Sequence, residues 1–95
     1  MREYRLIGKD NRPVNFSNLE ETNKSIEMMF PVTETEKVGA ELRKTYGRNG
    51  ESFYVYYNDD SHKGTRILLP NEHEESIKER LEVIAELKFE EIKCQ

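Results

Sequence analysis

Fingerprints of catalysis are scarce in this sequence. Its five glycines are scattered, so no glycine-rich loop could cradle a phosphate, and no serine or cysteine stands in a nucleophile elbow. His62 and His73 are the only histidines, and neither has such a nucleophile beside it. The single cysteine, Cys94, excludes an internal disulfide and fits a reducing compartment. No apolar run approaches the roughly 18 residues that a membrane span requires. The opening stretch MREYRLIGKD also lacks the apolar centre of a signal peptide. A cytoplasmic protein with no membrane partner is therefore expected.

Apolar residues are also few, at 35%, while charged residues reach 36%. A chain of 95 residues is read as one domain, 1–95, with a thin core that a homodimer could complete. Residues 71–95 hold eight glutamates against Lys78, Arg80, Lys88 and Lys93, so this segment carries the whole net charge of −4. The remainder is neutral, with cations gathered at Arg2, Arg5, Lys9 and Arg12 and again at Lys37, Arg43, Lys44 and Arg48. The basic excess of a general nucleic-acid binder is missing. The acidic segment, interrupted by four cations, is equally short of the continuous field of a DNA mimic.

What is present reads as alternating strands and helices. Glu3–Gly8 and Arg12–Phe16, separated by Lys9-Asp10-Asn11, suggest a first hairpin with Tyr4, Leu6, Val14 and Phe16 on one face. Pro13 marks its second run as short or at an edge. Ser17-Asn18-Leu19-Glu20 is a capping-box pattern, opening a helix that Pro31 stops. Thr33-Glu34-Thr35-Glu36 repeats the pattern ahead of Val38, Leu42 and Tyr46, and predicts a second helix whose C-terminal dipole Arg43 and Lys44 would complement. A third helix begins after Pro70, with Ile77, Leu81, Ile84 and Ala85 inward and Glu75, Glu79, Glu82 and Glu86 outward. Its period fails beyond Glu86, so residues 87–94 either extend it against a partner or form a further strand.

The most informative stretch is SFYVYYNDDSHKGTRILLP, residues 52–70, which places Tyr54, Tyr56 and Tyr57 within four residues. Read as a second hairpin, it sends Phe53, Val55, Tyr57, Ile67 and Leu69 inward. Tyr54, Tyr56, Arg66 and Leu68 then point the other way, together with Arg5 and Ile7 of the first hairpin. Tyrosine and arginine are the residues that most often carry interface energy, and Arg48, in a glycine-rich turn, could reach an anionic partner. Asp59, Asp60 and His62 resemble metal ligands only superficially. Neither the alternating oxygens of a calcium loop nor a second His/Cys pair for zinc is present, and Asn, Asp, Ser and Gly are turn formers. Paired acids such as Glu74-Glu75 and Glu90-Glu91 read as solvated helix surface.

The expectation is thus a small α+β protein in chain order ββααββα, with an antiparallel sheet of about four strands in two hairpins packed on three helices. Its expected role is non-enzymatic protein binding, as an adaptor or small inhibitor without cofactor or metal. The site would comprise Arg5, Ile7, Arg48, Tyr54, Tyr56, Arg66 and Leu68, with the acidic C-terminal helix as a second surface. Nucleic-acid or nucleotide binding on the same face is the weaker alternative.

Overall fold

A computed structural model describes residues 1–14, 19–47, 51–57 and 64–92. Among them run β1 (Arg2–Ile7), α1 (Leu19–Glu27), β2 (Val32–Val38), β3 (Glu41–Tyr46), β4 (Phe53–Tyr57), β5 (Arg66–Leu69), α2 (Glu74–Ala85) and β6 (Lys88–Glu91). The strands form one sheet in the order β2-β3-β4-β5-β1-β6, with every neighbouring pair antiparallel. The class is α+β, but six strands and two helices replace the expected four and three, and the order is βαββββαβ.

The largest correction falls on residues 33–46, expected as a helix and found as the hairpin of β2 and β3. Leu42 and Tyr46, four residues apart, suit the two-residue period of one strand as well as a helical turn, whereas Val38 lies on the other strand of the hairpin and faces the opposite side. β-Branched Val32, Thr33, Thr35 and Val38, interleaved with charged residues, favour the pleated form. Gly39, at a φ of 63°, then opens the two-residue turn Gly39-Ala40, where positive φ at the first position matches the twist of the flanking strands. Arg43 and Lys44 accordingly lie on a strand, facing opposite sides, and cap no helix.

The first expected hairpin is also reduced. Among the described residues its second run contributes one bridge, Ile7 to Pro13, and two bonds, from the Val14 amide to the Leu6 carbonyl at 2.9 Å and from the Gly8 amide to the Arg12 carbonyl at 2.8 Å. Asn15 and Phe16, with the Ser17-Asn18 cap, lie outside the described residues. β1 pairs instead with β5 and β6. The existence of β6 settles the choice left open after Glu86: that residue adopts a left-handed φ of 52°, ends α2 and turns Leu87 inward. Glu90 and Glu91 therefore belong to a strand. At the other end of α2, His73 occupies the N-cap without a side-chain cap bond. Glu74 is buried, accepting the Tyr4 hydroxyl at 2.5 Å.

Both helices lie on one side of the sheet. Ile26 and Phe30 from the α1 region and Ile77, Leu81 and Leu87 from the α2 region pack on Tyr4, Leu6, Tyr46, Phe53, Val55, Tyr57, Ile67 and Leu69. The Phe53 ring stacks on Tyr46 and meets Phe30 edge-on, at centroid distances of 5.5 and 5.0 Å. The buried stripe of α2 is narrower than its sequence suggests, since Ile84 is 36% and Val83 76% exposed.

Candidate functional site

Because side chains alternate across a strand, burying Phe53, Val55 and Tyr57 sends Tyr54 and Tyr56 to the face away from the helices. The register carries that parity across the whole sheet. Arg43 lies opposite Tyr56, Tyr56 opposite Arg66, and Arg66 opposite Arg5, which is itself opposite Glu90. With Glu36 opposite Arg43, one row crosses all six strands. A neighbouring row joins Thr45, Tyr54, Leu68 and Glu3. Arg5, Ile7, Tyr54, Tyr56, Arg66 and Leu68 thus share one face and are all half-buried. Arg48 lies outside the described residues.

The face is held by charge as much as by packing. Arg66 donates to Glu3 at 2.7 Å and to Glu41 at 2.6 Å while its guanidinium lies 5.0 Å from the centre of the Tyr56 ring. Arg43 donates to Glu36 and sits 5.4 Å over Tyr54, and Arg5 reaches Glu90 at 3.0 Å. Hydrogen bonding to Tyr56, with Glu36 nearby, holds the Arg43 guanidinium above its ordinary pKa. Burial disfavours the charge on Arg66, but Glu41 and Glu3 outweigh it and raise its pKa. Both arginines stay charged at any pH the fold meets, so each ring is permanently capped by a cation. Two polar atoms of this lattice, Glu41 Oε2 and Arg43 Nε, are buried without a hydrogen-bond partner.

Neither a family model, nor a curated protein, nor a solved structure matches the chain. Its chemistry is therefore read from these side chains alone. They offer large rigid rings, donor forks already oriented by carboxylates, and apolar flanks at Leu68 and Ile7. No nucleophile beside a base occurs in that set. Sequence reasoning missed Arg43, Glu36 and Glu41 because it placed all three in a helix; the alternation of Thr33-Glu34-Thr35-Glu36 was the signal that could have recovered them.

Other chemistry-bearing residues do not join this face. His73 stands at the start of α2 on the helix side, 3.9 Å from Glu51. Asp59, Asp60, His62 and Cys94 lie outside the described residues, and no cluster of three metal-binding side chains occurs among those described. A cleft of about 620 Å³ lies between the end of α2 and β6, lined by Lys9, Lys78, Glu82, Glu86, Leu87, Lys88 and Phe89. Its cations already have partners: Lys9 meets Glu86 at 3.9 Å, Lys88 meets Asn11 at 2.5 Å, and Lys78 lies 4.0 Å over the Tyr4 ring. Glu75, Glu79, Glu82 and Glu86 are all exposed at or just beyond α2.

Proposed function

We propose that this protein is a non-enzymatic protein-binding module, of the adaptor or small-inhibitor kind, that recognises its partner with the open face of its sheet. One observation carries the reading: no described element covers Tyr54 and Tyr56, while both helices pack on the opposite side. Partner residues laid on this face would meet rings and guanidinium groups already fixed by Glu3, Glu36, Glu41 and Glu90, so little side-chain freedom remains to be lost on binding. The acidic outer side of α2 is a secondary surface in the same proposal.

Nucleic acid on this face is disfavoured by the carboxylates, because Arg5, Arg43 and Arg66 would have to exchange glutamate for phosphate. No helix among the described residues is long and apolar enough to cross a membrane. A cytoplasmic location belongs to the proposal and rests on the lone cysteine.

A photo-crosslinking residue at Leu68, with one at Glu79 as control, tests the reading in cells. A discrete product from position 68 that disappears when Tyr54→Ala and Tyr56→Ala are combined is the expected result; a product at twice the chain mass would identify a second copy as the partner. Identical smears from both positions, or a product indifferent to the tyrosine changes, would sink it.

A further inference from the structure

The sheet has two edges, and they differ. β6 is four residues long, whereas β2 runs for seven, with residues 33–38 all exposed. A strand edge of that length presents a row of backbone groups that another chain can pair with. The register fixes which groups these are. In a two-residue hairpin the closing pair, here Val38 and Glu41, exchanges both hydrogen bonds, and the pattern alternates along the ladder. Val38, Glu36 and Glu34 therefore turn their N–H and C=O toward β3. Thr35 and Lys37 turn theirs outward.

The side chains decide which strand could join. A second copy is the first occupant to consider. A two-fold axis normal to the sheet keeps the faces aligned, so only positions of like parity can oppose one another. Every symmetric register that overlaps most of β2 then places Glu34 against Glu34, Glu34 against Glu36, or Glu36 against Glu36. Like charges directly opposite are destabilising, and these are non-hydrogen-bonded positions, where side chains come closest. The same two glutamates favour a strand of opposite sign.

We infer that the β2 edge is a docking site for an extended basic segment of another protein, added antiparallel to β2 through the N–H and C=O groups of Thr35 and Lys37. Read from its N-terminus, that segment carries an apolar residue opposite Val38, then basic residues opposite Glu36 and Glu34, with one residue between each. Val38 is 41% exposed and gives the apolar position a contact. Glu36 holds Arg43 through one oxygen, and its carboxylate can accept a second donor through the other. Glu34 and Glu36 stand on the same side of the sheet as Tyr54 and Tyr56, but the pairing groups of the edge lie two strands away from those rings, so its occupancy does not require a partner on them.

Hydrogen exchange of the β2 amides, followed by NMR on the intact protein, tests the inference. The probe is a short peptide alternating threonine with one valine and two lysines in that order, compared with the same peptide carrying glutamates for lysines. The basic peptide is expected to slow exchange at Thr35 and Lys37 by about tenfold or more when saturating, as formation of two ladder bonds requires. The acidic peptide should leave both amides unchanged. Glu34→Lys, at an exposed position, should weaken the basic peptide by at least about threefold, while Tyr54→Ala with Tyr56→Ala should not alter its binding. The inference is overturned if the basic peptide gives no protection at millimolar concentration, or if the acidic peptide protects equally. It is also overturned if protection appears without peptide and grows with protein concentration, the sign of a second copy on the edge.

Discussion

Strand β4 belongs to two different surfaces, and comparing them explains more of this protein than either does alone. On the helix side, Phe53, Val55 and Tyr57 are almost wholly buried, and the polar atoms that come with them are satisfied inside. The Tyr57 and Tyr46 hydroxyls lie 2.6 Å apart, and both donate to Asn23 of α1. On the other side Tyr54 and Tyr56 keep one ring face under a guanidinium and the rest toward solvent. The same residue type serves as core on one parity and as half-buried surface on the other. Burial on the first face excludes water; charge pairing on the second holds side chains in place while leaving them accessible.

The comparison is broken most directly by truncating neighbours on β4. Phe53→Ala removes a ring packed on both Phe30 and Tyr46 and should cost about 3–5 kcal/mol, enough to unfold much of the population of a small protein. Tyr54→Ala, one residue on, should cost about 1 kcal/mol or less, chiefly its contact with Arg43. Urea midpoints at a common slope measure both. Equal losses would mean that the open face is a second core.

Tyr57→Phe probes the polar half of the helix side. It deletes one member of the hydroxyl cluster and leaves the buried Tyr46 and the half-buried Asn23 each one partner short, at a cost of about 1–2 kcal/mol. The pair also makes the core face sensitive to alkali. Burial raises the pKa of both hydroxyls above the ordinary 10.0. Each folded-state pKa exceeds its unfolded value, so the contribution is complete below about pH 10 and declines as pH rises through the window above it, where only the unfolded chain gives up its protons. Stability measured by urea should therefore fall with increasing pH beyond 10. The double variant Tyr46→Phe, Tyr57→Phe should be less stable at neutral pH but should show a flatter alkaline limb.

Arg66→Gln tests whether charge holds the open face. It removes the bonds to Glu3 and Glu41 and the cation over Tyr56, and since these groups are only partly screened it should cost about 1 kcal/mol at low salt. At 1 M salt, where the screening length falls to about 3 Å, the loss should shrink, whereas the Phe53→Ala loss should not. Loss that is independent of salt would assign the Arg66 side chain a packing role instead.

The two faces also separate what was legible in the sequence from what was not. Alternation along FYVYY and RILL assigned Tyr54, Tyr56, Arg66 and Leu68 to one face and Phe53, Val55 and Leu69 to the other, because a period of two has only two solutions once either face is buried. The strands beside them were harder. Residues separated by four satisfy both regular periods, so Leu42 and Tyr46 could not choose between helix and strand, and Val38, which lies across the turn on the other face, fell on the helical spacing by coincidence. Thr33 and Glu36, which read as a cap, are strand residues of β2. That one misreading removed two strands from the sheet and hid Arg43, Glu36 and Glu41 from the site. Strand β6 was one of two readings left open after Glu86, and the sequence could not choose it for another reason: its pairing with β1 depends on Glu86 turning left-handed, a conformation that glutamate gives no local reason to expect.

The smallest effect is the sharpest comparison, because the same atom is removed from both faces of one strand. Tyr54→Phe deletes a hydroxyl for which no hydrogen bond is found among the described residues, and leaves the ring beneath Arg43 in place. Its stability should change by less than about 0.5 kcal/mol, well below the loss for Tyr57→Phe. Retention of partner crosslinking from position 68 would then show that the ring suffices for recognition, since the phenyl face keeps its attraction for a cation. If crosslinking disappears while the urea midpoint stays fixed, the hydroxyl itself donates or accepts across the interface. The two outcomes distinguish an apolar, stacking partner surface from a polar one, and only at a position whose hydroxyl the fold does not use can they be told apart.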